Sequence, residues 1–223
     1  MDRVTDTEKL SAATSALKRV KNNSTIGLGT GTTTHYFIVG LSELVKNGLN
    51  VQCMASSIDT ERKAKSRGIN VIDSYPGMLD AYFDGADEVG PGGNLIKGGG
   101  GALTREKILA YNSREFNVMV DSSKVKEQLG EFGVPMEILS FGMQFTVSNI
   151  EKLGGKCRVR NGFKSDNGNP IIDCDFGKIS NPANLEKDIK SIPGVVEVGL
   201  FNGLSTRIIQ GKGTDCIVKE VGD

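Results

Sequence analysis

Short apolar runs alternate with helical patterns through the first part of the chain. The runs predict strands at residues 25–29, 51–57, 69–73, 78–85 and 116–121. Helices are predicted at residues 35–48, 58–68 and 103–112 between these strands, and at residues 7–21 before them. Strands that are apolar along nearly their whole length are typical of a parallel sheet with helices on both faces. The sequence therefore predicts an α/β domain with a parallel sheet at its centre.

From about residue 133 the order of predicted elements changes to βαββαβ. Strands are predicted at 135–139, 156–160, 169–176 and 194–201, with helices at 144–155 and 181–192. This order is the split-βαβ, ferredoxin-like arrangement. We therefore expect a smaller α+β domain at residues 132–204. The tail predicts a hairpin that returns to the main domain, which then comprises residues 1–131 and 205–223.

The charges balance, with 27 basic and 27 acidic side chains. No overall field favours nucleic acid or a membrane surface, so an anionic ligand has to be bound locally. The first residues lack the apolar segment of a secretory signal, and no apolar run reaches the roughly 20 residues that span a membrane. We expect a soluble, cytoplasmic protein with no nucleic-acid partner and no membrane contact.

Metal-binding and disulfide patterns are weak. The chain has one histidine, His35, which lies in a predicted helix among apolar residues and is interpreted as structural. The cysteines are scattered with no C-x-x-C pair, at Cys53, Cys157, Cys174 and Cys216. This favours neither a zinc site nor a disulfide framework. We expect no metal and four reduced, mostly buried thiols.

The first candidate ligand-binding segment is IGLGTGTTT at residues 26–34, where a strand ends in glycines and a helix begins. Backbone N–H groups and the positive end of the helix dipole suit a phosphate there. A dinucleotide site fits poorly, because threonine stands where G-x-G-x-x-G needs its last glycine and the next strand ends in Ser56-Ser57. The alternative is that the segment is only a tight turn between a strand and a helix and binds no ligand. A phosphate monoester fits best, since the hydroxyls of Thr30, Thr32, Thr33 and Thr34 add donors beside the N–H of Gly31 and its neighbours.

The second segment is Asp84-Gly85-Ala86-Asp87-Glu88, directly after an apolar strand. Open α/β sheets bind ligands at the carboxyl ends of their strands, and the small Gly85 and Ala86 let Asp84 and Asp87 both face that crevice. A solvated turn is the alternative, since Asp-Gly is common in turns.

The third segment has Lys97 followed by four glycines and then a helix that carries Glu106. The backbone donors of Gly98, Gly99 and Gly100, with Lys97 beside them, suit an oxygen that becomes negative, and Glu106 suits a base. A flexible connector is disfavoured by the apolar strand before it and the strong helix after it. The other alternative is that Glu106 only interacts favourably with the helix dipole, as an acid in the first turn of a helix does.

Two lysines are candidates for a phosphate contact. Lys124 ends Asp121-Ser122-Ser123-Lys124 at the carboxyl end of another predicted strand, so it can reach an anion held by the first loop. Lys9, in the opening helix, is a weaker candidate for the same contact.

Taken in order, these segments resemble the ribose-5-phosphate isomerase A family along nearly the whole chain. The family pattern GxGTG[ST]T is matched by residues 27–33, the serine-rich strand end by Ser56-Ser57, DGADE by 84–88, KGGG by 97–100, REK by 105–107 and D-x-SK by 121–124. One small departure is Thr32, where serine is usual and a hydroxyl is retained.

The resemblance implies a Rossmann-like αβα domain with a small α+β domain, and a metal-independent aldose–ketose isomerase that needs no cofactor. It implies that Glu106 accepts and returns the proton through an enediolate, that Asp84, Asp87 and Lys97 surround the sugar oxygens, and that residues 30–33 with Lys124 bind the phosphate. The fixed donors would stabilise the negative oxygen without reorganisation.

The residues alone leave two alternative functions open. A non-catalytic sugar-phosphate sensor is disfavoured by an acid at Glu106 with Lys97 nearby in sequence, and an assay for ketose formation discriminates. A dinucleotide-dependent reductase is discriminated by NAD(P)H binding. Because the small domain and the sheet edges need partners, we expect a homodimer or a dimer of dimers.

Overall fold

A computed structural model describes residues 3–74 and 77–222. The helices are α1 (Arg3–Leu17), α2 (Thr32–Lys46), α3 (Ile58–Lys65), α4 (Leu103–Tyr111), α5 (Met143–Glu151) and α6 (Pro182–Lys190). The strands are β1 (Ser24–Leu28), β2 (Val51–Ala55), β3 (Ala81–Asp84), β4 (Glu88–Val89), β5 (Leu95–Ile96), β6 (Phe116–Val120), β7 (Val134–Ile138), β8 (Lys156–Lys164), β9 (Pro170–Asp175), β10 (Val195–Val198), β11 (Leu200–Phe201), β12 (Arg207–Lys212) and β13 (Asp215–Glu220).

The chain forms two compact units. The first consists of Met1–Ala86, Arg105–Val125 and Leu204–Asp223, and the second of Asp87–Thr104 and Lys126–Gly203. The domain boundaries expected from the sequence stay a prediction. The compact units differ from them in assigning residues 87–104 and 126–131 to the second unit and Leu204 to the first.

The first unit is built on a six-stranded sheet in the order β13-β12-β6-β3-β1-β2. The five strands from β12 to β2 pair in parallel, and β13 is the antiparallel arm of the tail hairpin. Strand β6 is buried along its length, and α1 packs against α2 and β12. Phe37 of α2 stacks on Phe83 of β3 with ring centroids 4.6 Å apart. The mostly parallel α/β sheet confirms the predicted fold class.

The carboxyl ends of the parallel strands meet at one edge of this sheet. Strands β1, β2, β3 and β6 end there at Leu28, Ala55, Asp84 and Val120. The loops that follow these strands carry three of the candidate segments, beginning at Gly29, Asp84 and Asp121. Ligands of open α/β sheets bind at such an edge.

The second unit has the predicted βαββαβ order from β7 to β10. Its antiparallel sheet has the order β10-β7-β9-β8, and its core includes Ile150 of α5 and Ile189 of α6 together with strand residues. A separate three-stranded sheet, β11-β5-β4, was not predicted. The predicted strand at 194–201 is split at Gly199, where a Cβ would lie 2.3 Å from the Lys97 carbonyl oxygen. This close backbone approach joins the two short sheets.

Two further expectations were wrong. The predicted strand at 69–73 is reduced to a single bridge, between Val71 and Cys53. Cys157 and Cys174, expected as free thiols, form a disulfide. They are direct partners in the register of β8 and β9, with Cα atoms 4.0 Å apart. A pairing set by strand register leaves no spacing signal in the sequence. Cys53 and Cys216 are free.

Candidate active site

The loop between β1 and α2 is held by hydroxyl groups from the neighbouring strand end. The Thr30 hydroxyl lies 2.8 Å from the hydroxyls of both Ser56 and Ser57 and 3.2 Å from that of Thr60. Ser57 in turn caps α3 by accepting from the Thr60 N–H. The Thr30 side chain therefore fixes the loop. The sequence reasoning missed this role of Ser56 and Ser57, although two serines at the end of a parallel strand were the available signal.

The start of α2 is open to solvent where a phosphate was predicted. Gly31 stands at the N-cap with φ of 135°, a backbone conformation that favours glycine. Gly31 and Thr32 are exposed, whereas Thr33 and Thr34 are buried. The first N–H groups of a helix have no partner within the helix, so this end is suited to an anion.

Asp84 is fully buried and accepts several hydrogen bonds. Its Oδ1 accepts from the N–H of Thr30 at 3.1 Å, the N–H of Gly85 at 2.7 Å and the hydroxyl of Thr34 at 3.2 Å. Its Oδ2 accepts from the Tyr82 hydroxyl at 2.5 Å. These donors satisfy the oxygens of a carboxylate that is buried away from water. Asp84 thus links the end of β3 to the loop that follows β1.

Gly29 is required by this arrangement. A Cβ at position 29 would lie 1.9 Å from the carboxyl carbon of Asp84, so any side chain there would displace the carboxylate. The glycine run in the first segment is therefore used for close approach to Asp84 as well as for exposing backbone donors.

Tyr82 was not identified from the sequence. It lies two residues before Asp84 on β3, so both side chains lie on one face of the strand, which was the available signal. Burial raises the pKa of Tyr82 well above its ordinary value, and the charges of Asp84 and Glu106 raise it further. The phenol is thus kept protonated as a donor.

Glu106 lies in the first turn of α4 and is only 3% exposed. A carboxylate that served merely as a favourable acid at a helix start would be expected in solvent. Tyr82, Asp84 and Glu106 are therefore a buried acidic group within the first unit.

Lys124 lies on a short 3₁₀ turn, Ser122–Lys124, at the end of β6 and is half-buried. Asp121 caps this turn by accepting from the Ser123 N–H at 3.0 Å. From α1, Glu8 accepts from the Ser122 N–H at 2.8 Å and from its hydroxyl at 2.6 Å. The Ser122 hydroxyl is the main cause of a lowered pKa of Glu8. The Lys9 ammonium lies 4.0 Å from Asp6.

Gly85 and Ala86 belong to the first unit, and the predicted residues Asp87, Lys97 and Gly98 to Gly100 belong to the second. Asp87 is half-buried and accepts from the Gly99 N–H at 2.8 Å. Lys97 is 3% exposed and its ammonium lies 5.5 Å from the centroid of the Phe201 ring. Gly99 and Gly100 are exposed, while Gly98 is buried. The structure thus brings Asp87 to the glycine run.

Glu88, the last acid of the second segment, has a structural role. It is 1% exposed and accepts from the backbone N–H groups of Gly130, at 2.8 Å, and Phe132, at 2.5 Å. Across the described ranges 3–74 and 77–222, no group of three or more His, Cys, Asp or Glu side chains is placed to hold a metal ion. No helix in those ranges is both long and apolar enough to cross a membrane.

Comparison with known proteins gives consistent matches along the chain. The family model of ribose 5-phosphate isomerase A (phosphoriboisomerase A) matches residues 52–215. The ribose-5-phosphate isomerase A of Picrophilus torridus is 53% identical over 218 residues, which are 97% of this chain and 99% of that protein. That of Thermoplasma acidophilum is 44% identical over 221 residues, covering 96% of this chain and 92% of that protein.

Solved structures agree. Ribose 5-phosphate isomerase A from Methanocaldococcus jannaschii superposes with a TM-score of 0.91 at 37% identity and covers 95% of this chain and 97% of that one. A D-ribose-5-phosphate isomerase in complex with phospho-erythronic acid superposes with a TM-score of 0.94 at 34% identity, covering 99% of this chain and 100% of that one. The order of the sequence motifs, the fold and these matches together place the chain in the ribose 5-phosphate isomerase A family.

Proposed function

We propose that the protein interconverts D-ribose 5-phosphate and D-ribulose 5-phosphate. The observation that carries the proposal is the 53% identity over 97% of the chain to a ribose-5-phosphate isomerase A. The relative that is in complex with phospho-erythronic acid, a phosphorylated polyhydroxy acid, supports a sugar phosphate as the ligand. The reaction serves the non-oxidative part of pentose phosphate metabolism.

Glu106 is the proposed proton carrier. The reaction removes a proton from the carbon beside the carbonyl, passes through an enediolate and returns a proton to the neighbouring carbon. One carboxylate on one face of the sugar can do both. Support comes from the low exposure of Glu106, which shields the reacting carbons from bulk water, and from its position in the first turn of α4.

Lys97 and the N–H groups of the glycine run are the proposed donors to the oxygen that becomes negative. Donors that are fixed before the reaction stabilise this charge without reorganising. The burial of Lys97 and the bond from the Gly99 N–H to Asp87 support a rigid segment. Gly98 and Gly100 belong to the same group.

Asp84 and Asp87 are the proposed carboxylates near the sugar hydroxyls, where they exchange protons and assist ring opening. Asp84 has a second task, since it holds the N–H of Thr30 and so orients the phosphate loop. Gly85 and Ala86 allow the chain to pass close to the substrate between the two acids.

The phosphate is the proposed handle that places the sugar. Its binding is remote from the reacting carbons, so its energy can be used to orient them. The open start of α2 supports this assignment. The proposed phosphate ligands are Thr30, Gly31, Thr32, Thr33, Lys124 and Lys9.

We propose further that the enzyme acts in the cytoplasm as a homodimer or a dimer of dimers and without a cofactor. Light scattering on the purified protein measures the oligomer directly.

The proposed function is tested by incubating metal-stripped protein with ribose 5-phosphate in EDTA and following ribulose 5-phosphate. We expect turnover, because the proposed base is a carboxylate. Absence of turnover that a divalent ion restores would overturn the mechanism, and absence under all conditions would overturn the function.

A further inference from the structure

The carbonyl groups of the glycine run are held by a side chain that the catalytic assignment does not include. Arg160 of β8 donates from Nη1 to the Gly99 carbonyl at 3.0 Å and from Nη2 to the Gly98 carbonyl at 3.1 Å. One guanidinium thus binds two successive peptide groups. Glycine loses more conformational freedom on ordering than any other residue, so a run of four needs such contacts to be fixed.

Arg160 is itself fixed in place. Its Nε and Nη2 each donate to a carboxylate oxygen of Asp173 on β9, both at 2.6 Å, and its side chain is 18% exposed. Phe163, also on β8, has its ring centroid 5.8 Å from the guanidinium carbon. The same ring leaves no room for a side chain at Gly101, where a Cβ would lie 2.3 Å from it. Strand β8 therefore bounds the glycine run on one side.

The direction of the carbonyls determines the direction of the N–H groups. In a trans peptide the C=O and the next N–H point in opposite directions. Holding the Gly98 carbonyl on Arg160 turns the Gly99 N–H the other way, where it meets Asp87 at 2.8 Å. Holding the Gly99 carbonyl turns the Gly100 N–H away from Arg160, and Gly100 is exposed.

We propose that Arg160, oriented by Asp173, is a positioning residue that holds the Gly99 N–H on Asp87 and aims the Gly100 N–H for the isomerase reaction. The inference rests on the proposed function in that the Gly100 N–H serves the negative oxygen and Asp87 serves the sugar hydroxyls. If the Gly100 N–H is displaced, it stabilises the transition state much less, whereas the binding of the remote phosphate changes little. Loss of Arg160 should therefore lower kcat far more than phosphate affinity.

The test compares Arg160→Met with Arg158→Met. Arg158 lies on the same strand and is exposed, so it controls for the loss of a cation and for a change on β8. We expect Arg160→Met to lower kcat on the order of 10- to 100-fold. Competitive inhibition by inorganic phosphate should be unchanged, and Arg158→Met should resemble the wild type. Arg160→Lys should recover little, since one ammonium cannot reproduce the forked contacts.

Amide hydrogen exchange provides a readout that needs no activity. The N–H groups of residues 99–101 should exchange faster in Arg160→Met than in Arg158→Met, while β6 is unaffected. A kcat within twofold of the wild type, or unchanged exchange at 99–101, overturns the inference. A parallel loss of kcat and phosphate affinity overturns it also, because it indicates general unfolding. If Arg160→Met does not fold, Arg160→Lys takes its place with the same outcomes. An inactive wild type would count against the proposed function, and the exchange data would still judge Arg160.

Discussion

At the scale of single residues, Asp84 and Glu106 are buried carboxylates of the first unit, and Arg160 holds two carbonyl groups of the glycine run in the second. Glycines, paired acids and lysines at strand ends identified Asp84, Lys97 and Glu106 as candidates, since those residue types in loops are informative by themselves. Tyr82 and Arg160 act through strand register and across strands, and both lie in segments that looked ordinary. A predicted strand indicates which face of the sheet a residue lies on, but it does not indicate which side chain on another strand that residue contacts.

Removing the Tyr82 hydroxyl tests the buried acidic group. In Tyr82→Phe the Asp84 carboxylate loses a donor at 2.5 Å in a fully buried position. Because a hydrogen bond to a charged group contributes about 1.5–3 kcal/mol, we expect the free energy of unfolding to fall by that amount. Urea denaturation measures it. Tyr111→Phe, at a tyrosine that is 73% exposed, is the control and should change nothing.

The same tyrosine predicts a dependence on alkaline pH. Its pKa in the folded protein is raised above the unfolded value of 10.0. Above pH 10 the unfolded chain loses this proton while the folded chain keeps it, so stability should fall as pH rises through this window. Tyr82→Phe should make that fall shallower. An equally steep fall in the variant would contradict the assignment.

At the scale of elements, the strong strands and both halves of the fold were predictable, whereas short pairings were not. Strand β6, buried throughout, was predicted almost to the residue. The two-residue strands β4, β5 and β11 depend on the contact at Gly199, which no local pattern reports. Residues 69–73 show the opposite case, because their sequence predicts a strand but only Val71 forms a bridge.

Glu8 joins α1 to two loops, because it also accepts from the Gly213 N–H at 3.2 Å in the tail hairpin. Glu8→Gln should weaken the Ser122–Lys124 turn and raise the KM for ribose 5-phosphate more than it lowers kcat. The pKa of Glu8 is lowered from its ordinary value of 4.5 in the folded protein, so Glu8 stabilises the fold above pH 4.5. This stability is lost as the pH falls through the pKa that Glu8 has in the folded protein. The stability difference from wild type should therefore shrink in acid. Glu43→Gln, on the exposed face of α2, is the control. An unchanged KM would argue against Glu8 as a support of Lys124.

The Cys157–Cys174 disulfide cross-links β8 to β9 across a sequence separation of 17. Cross-links of that loop length restrict the unfolded chain by about 3 kcal/mol. Reduction, or Cys157→Ala, should lower the free energy of unfolding by up to this amount, with Cys216→Ala as the control. Two free thiols at these positions in the protein purified without reductant would show that the disulfide does not form.

At the scale of the whole molecule, the order of motifs carried more information than any one of them. Each segment had an ordinary structural alternative, such as a solvated Asp-Gly turn, and the ordered set removed these alternatives. The family and fold class were therefore predictable from the sequence. The extent of the two compact units was harder to predict. Residues 87–104 join the second unit because β5 within them pairs with β11, which is distant in sequence.

Glu106 is proposed to carry the proton between the two carbons, and Glu106→Gln replaces this base with an isosteric amide. Glu106→Gln should lower kcat by at least the 10²–10⁴-fold typical of a lost general base, with little change in inhibition by inorganic phosphate. In D₂O the wild type should introduce deuterium at the carbon beside the carbonyl, and the variant should show neither turnover nor exchange. Near wild-type turnover by Glu106→Gln, or wild-type turnover with no label at that carbon, would contradict the account.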